Sequence, residues 1–150
     1  MPTPVPLVWV HGDYLDPRGP ALAAHPESPA VFVFDDALLE FYKLTFKRLV
    51  FLYECLLEIP GVHIRKGEPV TELAAAVQEF GCSGIVTVAS VAPQFGRQVV
   101  ALKVQHRLIV EILPQPPLVT LDKGEDETLD LKRFSRYWGA IQRRAMDPRY

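Results

Sequence analysis

The stretches Pro6-Leu-Val-Trp-Val10 and Ala30-Val-Phe-Val-Phe34 decide the fold of this chain. Both are short apolar runs with β-branched and aromatic residues, and neither alternates between polar and apolar positions. Such runs are typical of strands that are buried on both faces of a parallel sheet. Three later stretches complete the set of expected strands: residues 62–65, 84–89 and 108–113.

Helical patterns lie between these strands. Pro20 opens a short helix that Pro26 and Pro29 stop, because proline breaks a helix interior. Pro69 is suited to the first position of a later helix, and Gly81 to its C-terminal stop. Further helices are expected over residues 45–59, 95–105 and 131–146. The alternation of strands and helices predicts an α/β fold, in which a parallel sheet has helices on both faces.

The helix over residues 45–59 has the clearest pattern, with Thr45 as its expected N-cap. Apolar residues recur at steps of three and four and form one wide stripe of the kind that faces a core. The stripe consists of Phe46, Leu49, Val50, Tyr53, Leu56 and Leu57. The charged residues of this helix, Arg48 among them, lie largely off the stripe.

Composition narrows the class of protein. The chain has 150 residues, 49% apolar and 23% charged, with a formal net charge of −2. That balance gives no global attraction to nucleic acid or to an anionic membrane. Apolar runs are too short to span a bilayer, and the first residues do not resemble a secretory signal. Two cysteines do not make a disulfide framework. We therefore expect a cytoplasmic protein with reduced thiols.

Polar residues follow the expected strands, in the loops 11–19, 35–44, 66–68 and 90–97. The carboxyl ends of parallel strands share one edge of a sheet, where ligands bind at the point at which strand order reverses. Asp13 either caps its own turn or holds a bound ring. Arg97 is suited to a phosphate or carboxylate. The candidate ligand-binding residues are His11, Gly12, Asp13, Asp35, Ser90, Phe95 and Arg97.

Several kinds of site are not indicated by the sequence. No G-x-G-x-x-G fingerprint follows the first strand, and no P-loop is present. There is no G-x-S-x-G nucleophile elbow. The four histidines have no metal-ligand spacing. Hydrolytic, metal and nucleoside-triphosphate chemistry are therefore disfavoured.

The last expected helix is basic and aromatic. From residue 132 onward the only acidic residue is Asp147, whereas the basic residues are Lys132, Arg133, Arg136, Arg143, Arg144 and Arg149. The aromatic residues Phe134, Tyr137 and Trp138 are interleaved with them. Three interpretations stay open. The helix docks on its own domain with solvated charges outside, it forms a surface for a partner protein, or it contacts nucleic acid.

The order and spacing of several motifs resemble the N-terminal antenna domain of DNA photolyases and cryptochromes. Residues 7–22, LVWVHGDYLDPRGPAL, are similar to the first strand and loop of that family without a gap, although His11 and Leu15 stand where the family has arginine. Further similar segments are residues 31–36, 48–56, 65–69 and 131–138, together with Pro93, Gly96 and Arg97. The resemblance implies a Rossmann-like three-layer sandwich with a five-stranded parallel sheet.

The same resemblance carries expectations about function. The family domain binds a light-harvesting antenna, which is FMN, a deazaflavin or a folate. The helical domain that carries FAD and repairs DNA does not follow, so we expect a stand-alone, non-catalytic module. We expect an α/β domain over 1–130 and a linker-like helix over 131–150. The alternative is a subunit that pairs with a separately encoded helical FAD domain, or a homodimer formed through residues 131–146.

Overall fold

The computed structural model of the chain describes residues 5–117, 119–121, 124, 129 and 132–147. The chain divides into two compact units, 1–115 and 116–150. All five strands lie in the first unit, and the basic, aromatic helix lies in the second. The expected domain boundary after residue 130 stays a prediction.

The first unit is built on a sheet of five parallel strands. They are β1 (Leu7–Val10), β2 (Ala30–Asp35), β3 (His63–Gly67), β4 (Ile85–Val88) and β5 (Val110–Leu113). The order across the sheet is β3-β2-β1-β4-β5, so the chain moves outward from β1 in one direction and then restarts on the other side at β4. The predicted Rossmann-like α/β fold is confirmed.

Helices cover both faces of this sheet. They are α1 (Pro20–Ala24), α2 (Asp36–Tyr42), α3 (Phe46–Leu57), α4 (Pro69–Glu79) and α5 (Pro93–Val104). Because side chains alternate along a strand, Leu7 and Trp9 of β1 join a core with α4 and α5. Val8 and Val10 join a second core with α1 and α3. The helices on the two faces and the sheet between them make the three layers.

Local sequence explains where the longer helices begin and end. Thr45 caps α3 as predicted, since its hydroxyl accepts a hydrogen bond from the backbone N of Arg48 at 3.4 Å. Pro69 occupies the first turn of α4, where its missing N–H has no cost. Gly81 follows that helix with φ of +63°, a conformation that favours glycine.

Two predictions about this region were wrong. Residues 36–42, assigned to a loop, form α2, because the Asp35 carboxylate caps a run of good helix formers. The apolar stripe of α3 is not all internal. Leu56 is fully buried, but Phe46 is 79% and Leu57 64% exposed. A helix contacts the sheet with only part of its surface, so only part of a stripe this wide is buried.

The second unit contains α6 (Phe134–Ala145). The expected start of this helix at Leu131 and most of the acidic stretch 122–130 lie outside the described residues. Within this unit, the rings of Phe134 and Trp138 stack with centroids 5.9 Å apart. The guanidinium of Arg144 donates to the carbonyl of Thr120 at 3.3 Å. In the part of the chain that the structure describes, no helix combines the length and apolar character needed to cross a membrane.

Candidate functional site

A cavity of about 450 Å³ opens at the carboxyl edge of the sheet. Its walls come from the loops after β1 and β4, from the end of β2 and from the first turns of α3 and α5. This is the point at which strand order reverses between β1 and β4, where ligands bind in doubly wound sheets. The volume lies within the range of about 300–1,000 Å³ that is usual for small-molecule sites.

His11 ties the two central strands together at this edge. Its Nε2 lies 2.8 Å from the carbonyl oxygen of Val88, the last residue of β4. A carbonyl only accepts, so Nε2 carries the hydrogen and Nδ1 presents a bare lone pair when the ring is neutral. The buried Nδ1 has no hydrogen-bond partner among the described residues. His11 is therefore fixed in one orientation and retains an unused acceptor.

Aromatic rings form one wall of the cavity. Trp9 and Phe95 stack at 5.3 Å between centroids with 24° between their planes. The ring of His11 meets Phe95 edge-on at 5.5 Å and Trp9 at 5.9 Å. Trp9 and Phe95 are almost fully buried, so the ring stack is held rigidly. Such a wall presents flat apolar surface and the polar edge of the imidazole.

Asp13 and Ser90 join the loops after β1 and β4. The hydroxyl of Ser90 donates to Oδ2 of Asp13 and accepts from the backbone N of Ala92 at 3.0 Å. Asp16, rather than Asp13, accepts from the neighbouring backbone, at 2.8 Å from the N of Arg18. Asp13 is therefore bonded to a residue of the loop after β4, on the other side of the point at which strand order reverses.

Carboxylates also cap the helices that begin at this edge. Oδ1 of Asp35 accepts from the backbone N of Ala37 at 3.0 Å and of Leu38 at 3.2 Å, at the start of α2. Glu68 caps α4 by accepting from Val70 and Thr71. Burial raises the pKa of Glu68, but hydrogen bonds from the side chain and backbone of Thr71 and from Val70 outweigh it, so the pKa is lowered overall.

Six of the seven predicted site residues line the cavity together. These are His11, Gly12, Asp13, Asp35, Ser90 and Phe95. The seventh, Arg97, is exposed on α5 and is not part of the lining. Their assignment to ligand binding stays a prediction.

Sequence reasoning missed other parts of the lining. Arg48 of α3 was interpreted as a charge lying off the apolar stripe, yet it borders the cavity. Its position just after the Thr45 cap was the available signal, because α3 starts at the carboxyl edge. An apolar wall of Leu38, Leu39, Leu44 and Leu52 was also missed. Leu38 and Leu39 belong to α2, which had been assigned to a loop. Gln94 and Gln98 add amide groups.

No group of three or more histidine, cysteine or acidic side chains within metal-binding reach occurs among the described residues. The lining combines rings, leucines and a few polar groups, a pattern usual for small-molecule pockets. No protein-family model matches the chain, and no curated protein matches it either.

Proposed function

We propose that this chain is a photolyase/cryptochrome-like α/β module that binds a planar, flavin-like ligand in the sheet-edge cavity. The observation that carries the proposal is the cavity itself, about 450 Å³ in volume, with the Trp9–Phe95 stack on one side. Flat rings bury apolar area against aromatic and leucine side chains, and a few polar groups then orient them.

The polar groups in the lining support a heterocyclic ligand. His11 has a buried acceptor nitrogen without a partner among the described residues. Asp13 and Asp35 add carboxylate oxygens, while Gln94 and Gln98 bring amides that both donate and accept. A heterocycle with N–H and carbonyl groups at its edge can satisfy both kinds of partner. FMN, a deazaflavin and a folate are the ligands that the family resemblance suggests.

Absorbance of freshly purified protein between 350 and 500 nm (roughly the window of flavin-like rings, whose chemistry belongs to the cofactor) is the first test. Titration with riboflavin, FMN, a deazaflavin and a folate follows, monitored by equilibrium dialysis. We expect micromolar or tighter binding of at least one. A colourless protein that binds none of them would refute the proposal.

A pair of variants locates the site. Leu39→Trp places a large ring in the cavity lining and is expected to abolish binding. Leu57→Trp puts the same ring on α3 at a position that is 64% exposed and outside the lining, so it serves as the control. Equal loss of binding in both variants would contradict a site in this cavity.

A second candidate function is that of a subunit of a split photolyase or cryptochrome. Exposed large apolar residues on one side of α3 favour it: Phe46 is 79%, Tyr53 49% and Leu57 64% exposed. Contiguous exposed apolar surface often marks a protein interface. Co-expression with a helical FAD-domain protein from the same source, followed by size-exclusion chromatography, tests this candidate. A chain that elutes alone and monomeric would contradict both the subunit and the homodimer.

A further inference from the structure

We infer that the cavity selects an uncharged planar ligand and discriminates against one that carries a phosphate. The inference rests on the proposed function and narrows its ligand class. It follows from the distribution of charge at the carboxyl edge of the sheet, where several carboxylates lie at or near the starts of helices.

Helix N-termini are the usual phosphate sites in α/β folds, because unpaired N–H groups and the helix dipole favour an anion. At α2 that position is taken. Oδ1 of Asp35 already accepts from the backbone N of Ala37 and of Leu38. A phosphate at this terminus would have to displace an intramolecular carboxylate and would be repelled by its charge.

The start of α4 is occupied in a similar way. At α4, Oε1 of Glu68 accepts from Val70 at 3.0 Å and Oε2 accepts from Thr71 at 2.7 Å. No side chain caps the first turn of α5, but the backbone N of the preceding Ala92 donates to the hydroxyl of Ser90, which donates to the carboxylate of Asp13. A carboxylate therefore lies at the start of α2 and of α4 and one hydroxyl away from the start of α5, whereas α3 has the neutral cap Thr45 and Arg48 in its first turn.

The charges of the cavity lining also disfavour a phosphate. Asp13 and Asp35 contribute two carboxylates, and Arg48 is the one lysine or arginine among the described residues that line the cavity. Arg48 is exposed, so solvent and salt weaken its attraction for an anion. Arg97, the residue that the sequence suggested for a phosphate, lies outside the lining. A doubly charged phosphate would gain one exposed cation and meet two anions.

Riboflavin and FMN provide the test, since they share one ring system and differ by a phosphate. Both are titrated into the full chain by equilibrium dialysis at low salt. We expect FMN to bind at least about tenfold more weakly than riboflavin, and the gap to narrow as sodium chloride screens the repulsion. FMN that binds as tightly as riboflavin, or more tightly, overturns the inference while leaving the proposed function intact.

Charge-only variants locate the cause. Asp35→Asn retains an oxygen that caps α2 but removes a charge from the lining, so the FMN-to-riboflavin ratio of dissociation constants is expected to fall several-fold. Asp36→Asn is the control, because Asp36 starts the same helix but lies outside the lining. An unchanged ratio in Asp35→Asn overturns the inference. Binding of neither flavin, nor of a deazaflavin or folate, refutes the proposed function and the inference together.

Discussion

The imidazole of His11 donates from Nε2 to the carbonyl oxygen of Val88 at 2.8 Å, which joins the residue after β1 to the end of β4. Beside this bond, the buried hydroxyl of Thr87 donates to the carbonyl of Trp9 at 2.8 Å. Side chains thus reinforce the pairing of the two central strands where the cavity opens. The cavity inherits its shape from the sheet, since its polar residues are held by strand ends.

Loss of the His11 bond should destabilise the fold. We expect His11→Ala to lower the free energy of unfolding by about 1–2 kcal/mol, because the Val88 carbonyl loses its side-chain donor. Urea denaturation followed by circular dichroism measures this. His106→Ala, a change at an exposed position, is the control and should cost much less. Equal stabilities of the two variants would contradict the structural role of His11.

Gly84, just before β4, has no room for a side chain. A Cβ at this residue would lie 2.6 Å from the backbone oxygen of Ile109, so we expect Gly84→Ala to cost about 1–3 kcal/mol through overpacking. Gly96 in α5 has no atom within 4 Å of the same position, and Gly96→Ala is expected to stabilise by about 0.5–1 kcal/mol. Thermal unfolding of both variants checks the opposite signs.

The cap on α2 depends on an oxygen acceptor rather than on charge. Asp35→Ala removes the acceptor for Ala37 and Leu38 and should lower stability by about 0.5–2 kcal/mol. Asp35→Asn retains an acceptor and should unfold close to wild type. If the alanine and asparagine variants unfold alike, the hydrogen bonds do not contribute as the geometry indicates.

Glu68 should contribute a pH-dependent part of the stability. Its pKa in the folded chain is below the ordinary 4.5, so its contribution is present above that value and is lost as the pH falls through the folded pKa. Glu68→Gln is expected to be less stable than wild type at pH 7, and the difference should shrink as the pH falls below 4.5. The difference should be small because Glu68 is exposed.

Urea midpoints measured from pH 3 to 7 test the role of Glu68. Glu27→Gln, at an exposed position between α1 and β2, is the matched control and should parallel wild type throughout. If the urea midpoints of Glu68→Gln and wild type differ by the same amount at every pH, the charge of Glu68 does not contribute to stability.

Cys82 should react slowly with alkylating reagents. Burial raises the pKa of its thiol above the ordinary 9.0, and the thiolate is the reactive form. In a Cys55→Ser background, we expect iodoacetamide at pH 8 to modify the native chain at least about tenfold more slowly than the urea-unfolded chain. Similar rates in the two states, followed by mass spectrometry, would contradict this.

The sequence predicted the sheet well because buried parallel strands have a direct signature. Val8 and Val31 lie in uninterrupted apolar runs, Val86 lies in a run broken only by Thr87, and all three valines are essentially inaccessible in the structure. The N-cap of α3 at Thr45 was predicted for a similar reason, since capping depends on residues next to one another in sequence. Local chemistry was sufficient for these elements.

Features that depend on how the elements pack were harder to predict. The direction in which a helix faces its sheet decides that Leu56 is buried while Phe46 is exposed, and periodicity alone does not fix that direction. The orientation of α3 brings Arg48 to the cavity, and the separate orientation of α5 leaves Arg97 outside it. Both arginines follow a helix start, so only the three-dimensional arrangement distinguishes them.

The hydrogen bonds that join β1 to β4 have a consequence for biosynthesis. His11 and Val88 are 77 residues apart, as are Asp13 and Ser90. Domains form as the chain emerges from the ribosome at about 5–20 residues per second. Several seconds therefore separate the synthesis of the β1 loop from that of Val88 and Ser90. A nascent chain that ends before residue 95 lacks one ring of the Trp9–Phe95 stack. The cavity can therefore be complete only late in synthesis, after β4 and the start of α5 have been translated.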